Sequence, residues 1–348
     1  MREILRRRFA AIAPTDAPAE APADDRPPVL SFRSWDGLNP GDPAVVVVCH
    51  PDWRGVRTAA YSFREPTIEC DDLDRWKDGI IAGLSDSNVA TVVVHGFPPG
   101  SGAFIRAAHG AGIGTRVVLH SSMTQHGAEA GEAAVANEVL ALAGGGLLDR
   151  VGFVKAGLAE SFTALGYPAA YVPNRAPDLP SYEARDVGPG LNVGIFAEPF
   201  WRKNVVTQLG AVALLDDATA HVMRRPDVEY LDHLHLVDHG EIPWGDFVSL
   251  QASMDINLYV TLSECHPLSP IESYLTGVPA LMSRTSDVFR SDATLWDLTT
   301  AEIPDDPSEI AKAIRRLIDH AEEATRRAER WIARADAIAA DRWREFVS

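Results

Sequence analysis

The sequence predicts an α/β protein made of two successive doubly wound halves, each on a parallel sheet. Three observations carry this expectation. Short β-branched runs alternate with helical stretches over most of the chain. A break rich in Pro, Gly and charge, Asn174 to Gly190, interrupts the alternation near the middle. The alternation then restarts in the same form.

In the first half, "AVVVVCH" (Ala44 to His50), "ATVVVHGF" (Ala90 to Phe97) and "TRVVLHSS" (Thr115 to Ser122) are continuous apolar runs. Such runs fit strands buried on both faces. Helical stretches separate them: "LDRWKDGIIAGL", opening near the cap candidates Asp71 and Asp72, and "GAFIRAAHGAG". A last strand–helix–strand unit, "DRVGFVKAGLAESFTALG" then "AAYVPN", leads into the break. In the second half, "LNVGIFA", "LHLVDHG", "DINLYVTLS" and "PALMS" read as strands. "KNVVTQLGAVALL" and "FVSLQASM" read as the helices between them. The closing sixty or so residues are helical. There Asp306 is placed as an N-cap, Pro307 at the first helical position, and Glu309 for a capping box. Two Rossmann-like halves place a ligand in a cleft, near the carboxyl ends of the strands.

Composition narrows the function classes. A length of 348 residues suits two domains better than one core. Hydrophobic content of 46% and charged content of 23% are ordinary for a globular enzyme. A formal net charge of −17 argues against binding a nucleic-acid backbone, and leaves room for a local basic pocket. Cys49, Cys70 and Cys265 are odd in number and far apart, so they fit a reducing, cytoplasmic setting better than a disulfide scaffold. No run of eighteen apolar residues is present, so no membrane span is expected. Residues 1–28 read as a flexible Ala/Pro/acidic tail; its Arg2, Arg6, Arg7 and Arg8 suggest either a solvated or a membrane-surface segment.

The densest chemistry lies in "SECHPLSPIESYLTGVP", Ser263 to Pro279, where Glu264 and Glu272 stand eight positions apart. One reading is purely structural. Ser269-Pro270-Ile271-Glu272 is an S-x-x-E capping box with Pro at the first helical position, closed by Gly277 and Pro279. The other reading is functional. "DINLYVTLS" ends at Ser263, so Glu264 to Pro270 form a loop at a strand's carboxyl end, leading into a helix start that favours phosphate. Glu264 then accepts bonds from sugar hydroxyls, His266 donates to a phosphate or hydroxyl, and Glu272 holds a ribose diol.

This stretch resembles the E-x7-E motif of retaining GT-B glycosyltransferases of the family 4 type: Glu264, "CHPLSPI", Glu272, "SYLT", then Gly277-Val278-Pro279. "RKN" at Arg202 to Asn204 resembles the family's diphosphate-binding element, "DRVGFVKAGLAESFTALGYPAAYVPN" its last N-terminal βα unit, and "DRWREFVS" its closing helix. The resemblance covers roughly residues 44 to 348. It implies a GT-B fold with 29–178 as the acceptor-side domain, 179–330 as the nucleotide-sugar domain, and 331–348 as a helix crossing back to the first. It implies transfer of a hexose from a nucleotide-diphosphate sugar, with retention, to an acceptor that is a small molecule, a glycan or a protein. It further implies no metal and no cofactor beyond the donor. Glu264 would contact the donor sugar. Backbone groups around His266, Leu268 and Ser269 would hold sugar and phosphate oxygens, and Glu272 the ribose. Lys203 with Arg202 would neutralise the leaving diphosphate. His120 would touch the transferred sugar, with His95 a weaker match. Departures stand beside these matches: Glu198 occupies the position of a family Arg, Gly55 alone represents a glycine pair, and "SRTSDVF" replaces a Gly-Gly-x-x-Glu. They keep two alternatives open: a GT-B epimerase or hydrolase, and an inactive GT-B-shaped binding protein.

Other residues divide between site and scaffold. Arg54 and Arg57 lie where the first βα loop would face the cleft, as acceptor or phosphate ligands or as solvated charges. His109 and His126 read as surface residues, Cys265 as a spacer, and Glu69 to Asp74 as a cap with a solvated face. Trp244 is either near a nucleobase or a packed aromatic.

Overall fold

Six parallel strands organise each half of the chain, and their order fixes where each half exposes loop ends to a ligand. The computed structural model describes residues 29–31 and 44–348. The predicted tail, with its four arginines, lies outside the described residues.

Contacts divide the chain into two units: residues to Arg175 together with Ile338–Ser348, and Ala176–Ala337. The predicted boundary at 178/179 thus falls at Arg175/Ala176 by contact. Of the predicted closing segment 331–348, the part from Ile338 clusters with the first unit.

The first unit holds strands β1 (Val29–Ser31), β2 (Ala44–Cys49), β3 (Thr67–Glu69), β4 (Val89–His95), β5 (Gly114–Leu119), β6 (Arg150–Phe153) and β7 (Ala169–Tyr171). Their order is β1-β3-β2-β4-β5-β6-β7, parallel throughout except for the edge strand β1. Val45 to Val48 are at most 6% exposed, as strands covered by helices on both faces require. The flanking helices pack Leu73, Ile80, Leu84, Phe104, Ile105 and Val139 onto the sheet. Asp72 caps the helix Leu73–Asp86 by accepting from the amides of Asp74 and Arg75, which explains the acidic cluster there. The C-terminal segment is anchored in this unit by two aromatics. Trp343 stacks on Phe63 with ring centroids 4.2 Å apart and donates its indole N–H to Glu65 at 2.9 Å. Phe346 fills the space left by Gly152, where a β-carbon would lie 3.1 Å from its ring.

The second unit holds β8 (Leu191–Ile195), β9 (Ala218–Val222), β10 (Leu236–Asp238), β11 (Ile256–Tyr259), β12 (Ala280–Ser283) and β13 (Thr300–Ala301). Their order is β10-β9-β8-β11-β12-β13, all parallel. This is the dinucleotide-fold order: the chain winds outward from β8 in one direction, then returns and winds outward from β11 in the other. The switch point lies between β8 and β11, and doubly wound sheets take their ligands beyond the carboxyl ends of the strands at such a point. β1, β3, β9 and β13 have no counterpart among the predicted runs; two or three residues (VLS, TIE, TA) and the mixed "ATAHV" carry too little apolar pattern to be recognised.

The helix Ser269–Leu275 ends as its sequence predicts and starts otherwise. Gly277 takes φ +83°, its amide bonds the carbonyl of Tyr274 at 3.1 Å, and the amide of Val278 bonds Ser273 at 3.0 Å. This paired closure is a Schellman motif. The expected capping box is absent. The N-cap position is Leu268, in helical backbone conformation, Ser269 is already the first helical residue, and no side chain caps the start. Leu268 accepts the amide of Glu272 at 2.8 Å, so the backbone begins the helix one residue earlier than the motif places it.

Gly277→Ala isolates the cost of that closure. A β-carbon there meets nothing within 4 Å, so only the left-handed backbone opposes it. The variant is expected to lose about 1 kcal/mol in urea denaturation at unchanged m-value.

Candidate functional site

The two loops at the switch point carry the charged residues that the sequence singles out. After β8 the chain forms a single 3₁₀ turn, Trp201–Lys203, and Asn204 follows with φ +56°. Arg202 and Lys203 therefore stand on a turn ahead of the helix Val205–Val212, rather than inside its start. Asn204 tolerates the left-handed conformation, as Asn does, and its side-chain amide donates to the carbonyl of Val260 at 3.1 Å and to Pro304. Gln208 donates to the carbonyl of Lys203 at 2.8 Å and accepts the amide of Val260 at 3.0 Å. The amide of Leu262 bonds the carbonyl of Arg202 at 2.8 Å. These bonds tie the turn after β8 to the loop after β11. They also end β11 at Tyr259, four residues short of the predicted Ser263, because the Val260 amide is taken by Gln208 and not by a neighbouring strand.

Across this tie lies an ion cluster. Lys203 Nζ bonds Glu264 Oε2 at 2.6 Å, and an Arg202 guanidinium nitrogen lies 3.6 Å from the same oxygen. The side chains of Lys203 and Glu264 are only 13% and 11% exposed. Tyr259 completes the cluster: its hydroxyl accepts from Lys203 and donates to Glu264 Oε2 at 3.0 Å. The Lys203 ammonium also sits 4.6 Å from the centroid of the Tyr259 ring, in cation–π contact.

Electrostatics follow from this burial. Desolvation alone would raise the Glu264 carboxyl, but Lys203, then Arg202, and the two donated bonds outweigh it, so it titrates below the usual carboxylate range. Burial pulls Lys203 down, Glu264 opposes that, and Arg202 adds to it. Burial first, then the Glu264 charge and bond, hold the Tyr259 phenol well above its ordinary value, so it stays a neutral donor. Two cations, Lys203 and Arg202, thus share the Glu264 carboxylate, and the charge of Glu272 also reaches the cluster.

The other predicted residues are placed unevenly around this cluster. Glu272 is buried on the helix Ser269–Leu275, and its charge reaches the Tyr259 hydroxyl. His266 is buried in the loop and held neutral by burial, its pKa lowered to about 4 against the opposing charge of Asp287. Leu268 is buried and Ser269 half-buried beside it. Cys265 is a buried thiol. Glu198, at the position of the family Arg, pairs with Arg224 at 3.4 Å. Trp244 stacks on Phe247, 5.8 Å between centroids, as a packed aromatic does.

His120 belongs to the first unit, just beyond β5. Its Nε2 lies 3.2 Å from Nδ1 of His95, so the structure joins the two histidines that the sequence treats as alternatives. His95 is fully buried, and burial, then the charge of His120, keeps it neutral. His126 is half-buried against Ser121, 2.9 Å from its hydroxyl, rather than on the open surface. Arg57 bonds the carbonyl of Pro51 and lies 3.7 Å from Glu69. Among the described residues no group of three or more His, Cys, Asp or Glu is arranged to hold a metal ion, and no helix is long and apolar enough to cross a membrane. Tyr259 is the member that sequence reading missed. Its only signal was position: the last residue of a strand that leads directly into the Glu264 loop.

Two six-stranded parallel arrays in Rossmann-like units make this a GT-B fold, and solved structures agree. An α,α-trehalose-phosphate synthase (UDP-forming) from Burkholderia xenovorans, in complex with glucose-6-phosphate, superposes with a TM-score of 0.59 at 12% identity, over 87% of this chain and 99% of that one. A sucrose-phosphate synthase from Thermosynechococcus elongatus gives 0.60 at 12%, over 87% and 98%. A UDP-N-acetylglucosamine 2-epimerase candidate from Listeria monocytogenes gives 0.55 at 14%, over 86% and 94%. At such identities the likeness is one of fold. No protein-family model matches the chain, and no curated protein sequence does.

The buried pair has a measurable signature. The lowered Glu264 carboxyl contributes stability that is fully present above the unfolded carboxylate value, about 4.3, and is lost as pH falls through its lower folded value. Glu264→Gln removes that acid dependence and takes away the carboxylate that Lys203 and Arg202 share. A loss of about 3 kcal/mol or more in urea denaturation at pH 7 is expected.

Proposed function

We propose that the chain is a glycosyltransferase that moves a hexose from a nucleotide-diphosphate sugar to an acceptor with retention of configuration. The observation that carries this reading is the cation pair, Arg202 and Lys203, held with Glu264 at the switch point of the second unit. Doubly wound sheets bind nucleotides at such a point, and two adjacent cations largely withdrawn from water there suit a diphosphate. Two of the neighbours of like fold are described as UDP-forming, or as bound with UDP-2-fluoro glucose, which makes a uridine donor the first to try. The neighbour with glucose-6-phosphate makes a sugar phosphate the first acceptor to try.

In this reading the bond from the anomeric carbon to the leaving phosphate oxygen breaks, and the bonding pair goes to the diphosphate. Lys203 and Arg202 stabilise the charge that accumulates there, which is the form of catalysis that benefits most from a dry, preset site. The acceptor oxygen bonds to the anomeric carbon from the same face and passes its proton to the departing phosphate. Glu264 accepts bonds from sugar hydroxyls. Glu272 accepts from the ribose diol, and the backbone around His266, Leu268 and Ser269 holds sugar and phosphate oxygens. No step draws on a metal ion. His120 is assigned to the transferred sugar on the resemblance alone. The three buried thiols fit a cytoplasmic enzyme.

Isothermal titration with a panel of nucleotide-diphosphate sugars, followed by turnover of the binder with and without sugar-phosphate acceptors, tests the proposal. Binding and acceptor-dependent release of nucleoside diphosphate are expected. Release that ignores acceptors would point to a hydrolase or epimerase, and no binding at all to a scaffold. Within an active enzyme, Lys203→Ala should lower kcat/KM at least tenfold, about 1.4 kcal/mol of transition-state stabilisation. Glu272→Gln should raise the donor KM several-fold with a smaller change in kcat. Wild-type constants in either variant would remove that residue from the site.

A further inference from the structure

The hydrogen-bond inventory of the ion cluster gives Tyr259 a role that no charge in the cluster can fill. A phenol has one proton to donate and lone pairs to accept. Here the proton goes to Glu264 Oε2 at 3.0 Å, and a lone pair takes a proton from Lys203 Nζ. Lysine has three donors, of which one goes to Glu264 Oε2 at 2.6 Å and one to Tyr259. The three polar atoms thus close a ring, with the ammonium at the hydroxyl edge of the aromatic ring, 4.6 Å from its centroid. Tyr259 is the last residue of β11 and is held in register opposite Met282 of β12, so its ring rides on a rigid element. Arg202 and Glu272 act on the same hydroxyl electrostatically. An incoming diphosphate competes with Glu264 for Lys203. Lysine is a long, flexible chain with a point charge, and without a second anchor it follows whichever anion binds more strongly.

We propose that Tyr259 is a positioning residue of the anion site: its hydroxyl holds the Lys203 ammonium in place while Glu264 gives way to a ligand diphosphate. This rests on the nucleoside-diphosphate reading above for its ligand, and on the ion cluster alone for its geometry. Tyr259→Phe keeps the ring and removes both bonds.

The experiment uses the full chain with UDP as the probe. Calorimetric titration is run on wild type, Tyr259→Phe, Lys203→Met and the double variant, and the Glu264 carboxyl is titrated by carbon-13 NMR without ligand. UDP should bind about tenfold more weakly to Tyr259→Phe, and the Glu264 midpoint should rise because the carboxylate has lost a donor. In the Lys203→Met background the phenylalanine should cost no further affinity, since Tyr259 acts through the ammonium. A merely structural tyrosine would give additive losses and an unmoved carboxyl midpoint, and either result overturns the proposal. If wild type binds no UDP, the functional reading fails, and the Glu264 midpoint still decides Tyr259. Should Tyr259→Phe not fold, 3,5-difluorotyrosine at 259 keeps both bonds with a stronger donor, so the Glu264 midpoint should fall. An unchanged midpoint there would equally overturn the proposal.

Discussion

The second unit depends on a charge arrangement that is costly unless every partner is in place: Lys203, Arg202 and Glu264, largely withdrawn from water, closed by the hydroxyl of Tyr259. Removing ions from water costs several kcal/mol each, and attraction recovers this only with good geometry and satisfied hydrogen bonds. A scaffold seeking stability alone does as well with apolar side chains at these positions. Two adjacent cations at the exit of β8 make sense where a ligand's negative charge is expected, and that is the physical content of the functional reading.

The fold meets this demand through connectivity more than through packing. The strand order β10-β9-β8-β11-β12-β13 sets β8 and β11 side by side, although some sixty residues separate them in sequence. Their exit loops would otherwise diverge. Asn204 and Gln208 prevent this by bonding the backbone of Val260, and Arg202 does so through its own carbonyl to Leu262. The cations and the carboxylate are therefore positioned by uncharged amides one layer back, on segments already fixed by the sheet. The unit β11, helix Ser269–Leu275, β12 is stiffened likewise: Asn257 donates to Ser273 Oγ at 2.8 Å, and Ser273 donates to the carbonyl of Val278 at 2.8 Å.

Much of this was legible in the sequence, and what was missed shares a cause. Continuous runs such as "AVVVVC" announce strands buried on both faces, and the Pro/Gly break marks the change of unit. Gly277 marked a helix end because only glycine accepts a φ of +83° without strain. Failures arose where one local pattern admits two backbones. Ser269-Pro270-Ile271-Glu272 has capping-box spacing, yet the helix begins at the backbone of Leu268, and spacing cannot tell these apart. β9 was invisible because "ATAHV" mixes polar and small residues. His221 there is spent on Asn192, whose Oδ1 lies 3.0 Å away, and on His239 at 3.0 Å, contacts that only the assembled sheet creates. Tyr259 looked like one more β-former, and its role appears only when Lys203 arrives from 56 residues away in sequence.

The central claim is that the switch point of the second unit is a nucleoside-diphosphate site whose cations are preset by its scaffold. A crystal structure of the chain with UDP at millimolar concentration tests it most directly. The account predicts diphosphate oxygens within hydrogen-bond reach of Lys203 Nζ and Arg202, with Lys203 still on the Tyr259 hydroxyl. UDP bound elsewhere with the Lys203–Glu264 pair intact, or no UDP at all, would contradict it.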